Sequence, residues 1–207
     1  MNPRALILVD IQYDFLPGGA LAVAEGDAVI PVANRLQPQF ELIVATQDWH
    51  PPDHGSFASN HPGKKAGEMI ELGGLPQVLW PDHCVQGTRG AEFHEALDLS
   101  RVARIFRKGT DPAIDSYSGF FDNGHRKSTG LGDFLREQGV TDVCVMGLAT
   151  DYCVRWTALD AIQLGFRTYL TEDGSRGVEL NPGDVAAAIE EVRSAGGIIV
   201  TSGDLRN

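Results

Sequence analysis

The chain has 207 residues, of which 43% are hydrophobic and 22% charged, and it carries a formal net charge of -11. This composition is typical of a soluble globular protein, and the length favours one substantial core, so we expect a single domain over residues 1–207. Because no cluster of Lys or Arg offsets the negative charge, nucleic acid and anionic membrane surfaces are excluded as expected partners.

The N-terminal segment and the cysteines indicate the expected compartment. The segment MNPRALILVD lacks the apolar core and cleavage site of a signal peptide, and no later apolar run approaches membrane-spanning length. The three cysteines are odd in number and scattered, which fits a reducing environment better than a disulfide framework. We therefore expect a cytoplasmic protein with at least one free thiol.

Short apolar, β-branched runs alternate with helical patterns along the chain. The predicted strands are residues 5–9, 42–46, 102–106, 143–147, 167–171 and 198–201. The predicted helices are residues 27–36, 129–138, 151–165 and 182–195. Since parallel neighbours need a crossover connection, this alternation predicts a three-layer α/β/α fold around a central, mostly parallel six-stranded sheet.

Glycine, proline and asparagine residues mark the predicted helix ends and loops. We interpret Gly139 and Gly165 as C-terminal stops, and Asn181 followed by Pro182 as an N-cap and first helical residue. Two stretches, residues 47–81 and 109–128, are rich in Gly, Pro, His, Asp and Ser. Loops of such length inside a compact domain are usually functional.

Cys153 is the candidate nucleophile. It lies in GLATDYCVRWTALDA, where the apolar run VCVMG ends and a helical pattern begins. At a helix N-terminus the partial positive charge favours a thiolate, and free backbone N–H groups can receive an oxyanion. The competing interpretation is a cysteine that fills core space, which is how we interpret Cys84 and the mid-strand Cys144.

Two charged residues lie where the predicted strands place them beside Cys153. Asp10 ends the first strand and Lys108 follows the third, so both project from the carboxyl edge of the sheet. A carboxylate beside a thiol can take its proton and return it to a leaving group, while an ammonium stabilises both anions. Taken singly each is an ordinary turn or solvated residue, but together the three form a coherent triad.

A candidate metal site follows the second strand. Asp48 and His50 lie two residues apart on an extended segment, where alternate side chains share a face, and His83 returns after the long loop. His54 or Ser56 could approach a fourth position. The alternative is that a surface loop has accumulated His and Asp for its turns. The remaining histidines, His61, His94 and His125, have no such context, and we expect them to be surface residues.

With these residues collected, the chain resembles the nicotinamidases of the isochorismatase-like cysteine hydrolase superfamily from its first predicted strand to its last. The resemblance rests on five ordered segments, LVDIQYDFLPGGAL, ATQDWHPPDHGSFAS, LWPDHCVQGT, FRKGTDPAIDSYSGF and GLATDYCVRWTALDA. It implies hydrolysis of nicotinamide to nicotinate and ammonia through a cysteine thioester, with pyrazinamide as a second substrate.

The resemblance also implies roles for particular residues. Asp10, Lys108 and Cys153 would be the catalytic triad. Asp48, His50 and His83 would ligate one divalent metal, commonly zinc and in some members iron or manganese, which suits their N and O donors. The ligand set beyond these residues differs among family members, so His54, Ser56 and water stay open for it.

Further implied features concern the oxyanion and the pyridine ring. In the family a cis peptide precedes the alanine of the nucleophile segment, here Leu148–Ala149, and the amides of Ala149 and Cys153 face the oxyanion. The resemblance places aromatic residues around the ring of the substrate; these are Phe15, Trp80, Tyr117 and Tyr152. Members of the family are monomers or assemblies, and a homo-oligomer is the expectation here.

Two other interpretations compete with this one. Another hydrolase of the superfamily, acting on isochorismate or a different small amide, would share the fold and part of the triad, but the Asp48, His50 and His83 set argues against it. A flavodoxin-like binding module would have no chemistry, because fold does not imply function. The absence of a strand-following G-x-G-x-x-G or a P-loop weakens a nucleotide-binding role.

Overall fold

The computed structural model describes residues 3–205, which form eight strands and four α-helices. The strands are β1 (Arg4–Val9), β2 (Leu42–Asp48), β3 (Met69–Leu72), β4 (Leu75–Val78), β5 (Val102–Lys108), β6 (Asp142–Leu148), β7 (Arg167–Arg176) and β8 (Ile198–Val200). The helices are α1 (Val29–Leu36), α2 (Leu131–Glu137), α3 (Arg155–Gln163) and α4 (Asp184–Ser194). All six predicted strands are confirmed.

Six of the strands form one sheet in the order β5-β2-β1-β6-β7-β8, and every neighbouring pair is parallel. The chain builds outward from β1 to one edge and then returns to the other side of β1 at β6. The order therefore reverses between β1 and β6, and ligands of such sheets bind in the crevice at the carboxyl ends of the strands there. This topology places the ends of β1, β5 and β6 at the same edge.

Helices cover both faces of the sheet, so the predicted three-layer α/β/α fold is confirmed. In β1, Leu6 and Leu8 pack in the layer with α1, whereas Ala5, Ile7 and Val9 pack in the layer with α2, α3 and α4. Successive side chains of a strand point to opposite faces, so a strand covered on both sides must be apolar throughout. The run ALILV at the start of the chain satisfies this condition.

Helix ends agree with the predictions at some positions and differ at others. Gly139 and Gly165 follow α2 and α3 with φ of 71° and 88°, which confirms them as stops. The predicted cap at Asn181–Pro182 is wrong, because α4 begins at Asp184 after Gly183, whose φ is 98°. The Asp184 carboxylate accepts the backbone N–H of Asn181 at 2.9 Å, which closes a turn before the helix starts.

The stretch predicted as one long loop at residues 47–81 contains an antiparallel hairpin, β3–β4. Its turn is Gly73–Gly74, with both residues at positive φ, 59° and 80°. Such a pair fits the two-residue hairpin turns that need left-handed conformations, so the sequence did hold a signal for this hairpin. Among residues 3–205, none of the helices has the length and apolar character required to cross a bilayer.

Candidate active site at the carboxyl edge of the sheet

The structure brings Asp10, Lys108 and Cys153 together at the carboxyl edge. Asp10 directly follows β1, Lys108 is the last residue of β5, and Cys153 lies in a π-helical turn, Thr150–Val154, between β6 and α3. Nζ of Lys108 is 2.8 Å from Oδ2 of Asp10 and 3.3 Å from Sγ of Cys153. Three side chains that are distant in sequence thus form one contact group because their strands end at one edge.

Lys108 contacts both other members of this group. Its ammonium also contacts Oδ1 of Asp48 at 2.7 Å and donates to the carbonyl of Ser116 at 2.9 Å. Burial alone would lower the pKa of Lys108, but the carboxylates of Asp10 and Asp48 raise it well above its ordinary value. Lys108 therefore stays a cation, and it compensates the charge of two buried carboxylates.

Asp10 is fully buried and adopts a left-handed conformation with φ of 48°. Its Oδ1 accepts a hydrogen bond from the Thr46 hydroxyl at 2.6 Å. Its Oδ2 lies near Lys108 but has no aligned hydrogen-bond donor among the described residues. Burial raises the pKa of Asp10, Lys108 opposes the rise and Asp48 adds to it. One oxygen is thus held by the Thr46 hydroxyl, and the other lies against the Lys108 ammonium.

Cys153 differs from expectation in its protonation. The helix terminus was expected to favour a thiolate, yet burial raises the pKa of Cys153 well above its ordinary value, with Lys108 opposing the rise and Asp10 adding to it. The thiol therefore keeps its proton until a base removes it. Its Sγ and a carboxylate oxygen of Asp10 lie within 4.8 Å of each other, so the base is close at hand.

A second group of polar side chains adjoins the triad through Asp48. The Oδ2 of Asp48 is 3.2 Å from Nε2 of His50 and 3.6 Å from Nε2 of His83. All three residues are buried, and their donor atoms lie within 4.8 Å of one another. The structure thus brings together the three metal ligands predicted from the sequence, although they come from a strand end and two loop segments.

Backbone carbonyls hold both imidazole rings in one tautomer. The Nδ1 of His50 is 2.8 Å from the carbonyl of Gly109, and the Nδ1 of His83 is 2.7 Å from the carbonyl of Pro81. A carbonyl only accepts, so Nδ1 carries a proton in each ring, and Nε2 is the ring nitrogen that faces Asp48. Gly109, at φ of 63°, allows this approach, since a Cβ there would lie 2.3 Å from the His50 ring.

His54 and Ser56, the two candidates for a fourth position, differ in their surroundings. The Ser56 hydroxyl is already engaged with Nδ1 of His54 at 2.7 Å. The Nε2 of His54 is buried with no hydrogen-bond partner within residues 3–205, and one ring nitrogen of His54 lies within 4.8 Å of a ring nitrogen of His50 and a carboxylate oxygen of Asp115. One carboxylate and two oriented imidazoles, with a further unpartnered imidazole close to His50, form a donor set that suits a divalent metal. The residues fit such an ion.

The four predicted aromatic residues line one cavity with Cys153, next to the metal ligands. The cavity has a volume of about 340 Å³ including its mouth, and its aromatic walls are Phe15, Trp80, Tyr117 and Tyr152. Nε1 of Trp80 donates to the Tyr117 hydroxyl at 3.2 Å, and the Tyr152 ring contacts both of these rings edge-on. The walls therefore support one another and form a narrow aromatic slot.

The predicted cis bond between Leu148 and Ala149 is confirmed. Ala149 lines the cavity together with Cys153, and its carbonyl accepts the N–H groups of Tyr152 and Val154 at 3.1 and 3.0 Å. This tight turn places Cys153 close to the carboxyl end of β6. Ala149 and Cys153, the two residues expected to face an oxyanion, border the same space.

The sequence analysis missed several residues that support the site. The Gln12 side chain makes two hydrogen bonds to the backbone of Asp48: its Nε2 donates to the Asp48 carbonyl at 2.8 Å, and its Oε1 accepts the Asp48 N–H at 2.8 Å. Asp151 accepts the N–H of Val178, a cavity residue, at 2.9 Å. Asp115 also lines the cavity. These placements depend on how the loops pack, and no local pattern in the sequence encodes them.

Comparisons with known proteins agree with this geometry. The family described as Isochorismatase domain matches residues 4–204. The nicotinamidase of Escherichia coli (strain K12) is 52% identical, over 99% of this chain and 97% of its own. The solved structure of an Acinetobacter baumannii nicotinamidase/pyrazinamidase has a TM-score of 0.96 at 48% identity and covers 100% of this chain and 99% of its own.

A third relative was solved with a metal. The structure of the Pyrococcus horikoshii pyrazinamidase in complex with zinc has a TM-score of 0.78 and 43% identity. It covers 96% of this chain and 98% of its own. These likenesses extend over nearly the whole of both chains. The chain therefore belongs to the isochorismatase family, on the branch of the nicotinamidases.

Proposed function

We propose that the chain hydrolyses nicotinamide to nicotinate and ammonia through a thioester on Cys153. One observation carries the proposal: Cys153, Asp48 and His83 line a single aromatic cavity, and Asp10 lies directly behind them, within 4.8 Å of the Cys153 sulfur. Thiol and base suit attack on a carboxamide, and the aromatic slot suits a flat ring. The related nicotinamidases make nicotinamide the substrate to test first.

In the proposed acylation half-reaction, Oδ2 of Asp10 takes the proton of Cys153 and the sulfur attacks the carboxamide carbon. The oxyanion forms beside the Ala149 and Cys153 amides. When the tetrahedral intermediate collapses, the C–N bond breaks and Asp10 returns the proton to the leaving nitrogen, which departs as ammonia. The raised pKa of Asp10 suits both transfers, because a more basic carboxylate accepts the thiol proton more readily and its acid form can still give the proton to the leaving nitrogen.

In the deacylation half-reaction, Asp10 takes a proton from water and the hydroxide attacks the thioester carbon. The C–S bond breaks, nicotinate forms, and the proton returns to the sulfur of Cys153. Lys108 does not act as a base, since its pKa is raised well above its ordinary value. Its role is to hold Asp10 in place and to stabilise the thiolate at 3.3 Å while the thiolate exists.

The proposed metal ligands are Asp48, His50 and His83, with His54 as the fourth candidate that the geometry favours over Ser56. Bound there, a divalent ion would supply a Lewis-acid site for the ring nitrogen of the substrate. Nitrogen and oxygen donors of this kind suit zinc, and iron or manganese as alternatives. The zinc complex of the Pyrococcus horikoshii pyrazinamidase supports zinc as the first ion to test.

The proposed substrate-binding residues are Phe15, Trp80, Tyr117 and Tyr152, which would hold the pyridine ring between their faces and edges. Pyrazinamide differs from nicotinamide by one ring atom, so a slot that holds one ring has room for the other. We propose that the chain also deaminates pyrazinamide. The three free cysteines fit the cytoplasm that we propose as its location. The single domain and the homo-oligomer stay predictions.

The proposal is tested by measuring ammonia release from nicotinamide by zinc-loaded protein, beside benzamide, which lacks the ring nitrogen, and isochorismate. Turnover of nicotinamide that greatly exceeds turnover of benzamide supports the proposed substrate and the role of the ring nitrogen. If folded, zinc-loaded protein releases no ammonia from nicotinamide, the substrate assignment is wrong. Turnover of isochorismate instead would favour another hydrolase of the superfamily.

A further inference from the structure

A second concave site lies beside the catalytic cavity and has no role in the chemistry above. It is formed by the hairpin strand β4, the loop after β5, and α3, and we call it the Trp156 pocket. Its principal walls are Pro76, Tyr117, Asp122, His125, Trp156 and Asp160. Its volume is about 640 Å³ including the mouth, compared with about 340 Å³ for the catalytic cavity. The Trp156 pocket is large enough for a ligand of its own.

The walls of this pocket combine aromatic surface with negative charge. Trp156 is 36% exposed, and the Arg155 guanidinium lies 4.8 Å from the centre of its ring, so a ligand can contact only the part of the indole that Arg155 leaves uncovered. The two acidic walls, Asp122 and Asp160, are 7% and 3% exposed. Asp122 accepts the N–H groups of Gly124 and Arg126 at its Oδ1, whereas Asp160 has a buried oxygen with no hydrogen-bond partner in the described part of the chain, so we take Asp160 as the carboxylate for a ligand.

Asp160 is an incompletely satisfied buried carboxylate. Its Oδ1 is 3.1 Å from Nε2 of His125, whereas its Oδ2 is buried and has no hydrogen-bond partner in the described part of the chain. Burial raises the pKa of Asp160, and hydrogen bonding by Ser118 and the neighbouring His125 oppose the rise. A buried carboxylate oxygen without a donor is costly and uncommon, and a ligand that supplies the donor removes this cost.

His125 limits the access to this carboxylate. It adopts a left-handed conformation with φ of 54°, its ring stacks on Phe121 at 4.8 Å, and its side chain is 44% exposed. Because nearly half of this side chain is exposed, the imidazole can turn towards solvent when a cation takes its place beside Asp160. His125 is therefore an internal partner of Asp160 with which a ligand cation competes.

We propose that the Trp156 pocket binds a small organic cation with a flat apolar body. The ammonium would pair with Asp160, and the apolar body would lie against the Trp156 and Tyr117 rings, which favour cations through their faces. An anion of the same shape is excluded by the two buried carboxylates. Tyr117 also lines the catalytic cavity, so any test must separate the two sites.

The proposal is tested by isothermal titration calorimetry with three probes of one shape and different charge: benzylammonium, benzyl alcohol and benzoate. The protein is first alkylated at Cys153, which fills the catalytic cavity. We expect benzylammonium to bind at least about tenfold more tightly than benzyl alcohol, because a charge-assisted hydrogen bond exceeds a neutral one by about this factor. Benzoate should not bind.

Binding of benzylammonium to variants of the pocket walls shows whether the cation occupies the Trp156 pocket. Asp160→Asn should weaken benzylammonium binding about tenfold or more, and Trp156→Ala should weaken it independently of the carboxylate. His125→Ala should tighten it, since the internal competitor is removed. Asp133→Asn, the same substitution at an exposed carboxylate of α2, should have no effect. Thermal unfolding checks that each variant is folded.

Four results would overturn the proposal. The first is no benzylammonium binding by the folded protein, and the second is equal affinity for benzoate. The third is binding that survives both Asp160→Asn and Trp156→Ala, which would place the cation elsewhere. If light scattering shows that a second copy of the chain covers the pocket and blocks the probe, the pocket is an interface and the proposal is also wrong.

Discussion

The triad and the metal ligands meet at Asp48, yet the chain positions them in different ways. Asp10, Lys108 and Cys153 lie at or just after the ends of β1, β5 and β6, so parallel pairing in the sheet brings them together. His50 and His83 lie on loop segments, and each needs a backbone carbonyl to orient its ring. The sheet fixes the reactive atoms, whereas local hydrogen bonds fix the ligands.

Asp48 links the two regions because its two oxygens have different partners. Its Oδ1 contacts Lys108, and its Oδ2 faces His50 and His83. Lys108 and His50 hold the pKa of Asp48 well below its ordinary value against the opposing effect of burial. The difference between the regions predicts that triad changes abolish chemistry or stability, whereas metal-site changes mainly misplace the substrate.

The largest effect is expected at the nucleophile. Cys153→Ala should lower kcat for nicotinamide by about 10⁴-fold or more, since no other group can form the thioester. Cys144→Ala is the matched control, because burial raises the pKa of Cys144 to about 12 and its thiol contacts Thr171 rather than the cavity. Steady-state ammonia release measures both. Substantial turnover by Cys153→Ala would remove Cys153 from the mechanism.

Lys108→Met is expected to cost both stability and activity. The change leaves Asp10 and Asp48 buried without their shared cation, which should lower the free energy of unfolding by about 3–5 kcal/mol. Lys65→Met, at an exposed position, should stay near wild type. Urea unfolding at neutral pH gives the comparison. A Lys108→Met protein as stable as wild type would show that the ammonium does not compensate these carboxylates.

Removal of the metal should disturb substrate positioning at the metal ligands and leave the reactivity of the triad intact. A chelator, or His83→Ala, is expected to lower kcat/KM for nicotinamide by about 100-fold, because a misplaced substrate loses its alignment with the sulfur. Alkylation of Cys153 by iodoacetamide should continue at a rate within a few-fold of the loaded protein, because this reagent needs no ring positioning. Zinc should restore the chelated wild type but not His83→Ala. Full activity after complete metal removal would contradict the proposed ligand set.

The smallest effect is expected at Thr46, which touches the base and not the substrate. Thr46→Val removes the hydroxyl that donates to Oδ1 of Asp10 and should lower kcat about tenfold, with KM unchanged. Thr46→Ser, which keeps the hydroxyl, should retain most of the activity. If Thr46→Val raises KM and leaves kcat as it was, the hydroxyl does not act through Asp10.

The sequence predicted the sheet and the triad because both follow from strand ends. Apolar runs located all six strands of the sheet, and Asp10 and Lys108 could be placed from the point at which each run stops. The resemblance to nicotinamidases supplied what periodicity could not, including the cis bond before Ala149 and the aromatic walls of the cavity. These depend on atomic contacts between segments distant in sequence.

Other features were beyond the sequence for physical reasons. The orientation of His54, the contact of Gln12 with the Asp48 backbone and the link of Asp151 to Val178 are hydrogen bonds within or between loops, and no local pattern encodes them. The protonation of Cys153 is a balance between burial and Lys108, so it requires the packed structure. Local propensity was also overridden at Asn181, where the Asp184 carboxylate closes a turn.

The central claim, a thioester on Cys153, is tested most directly by mass spectrometry of zinc-loaded enzyme quenched in acid during turnover of nicotinamide. The account predicts that the peptide containing Cys153 gains the mass of one nicotinoyl group, and that the gain disappears on treatment with hydroxylamine, which cleaves thioesters. Ammonia release without any nicotinoyl adduct, or an adduct on a different residue, would contradict it.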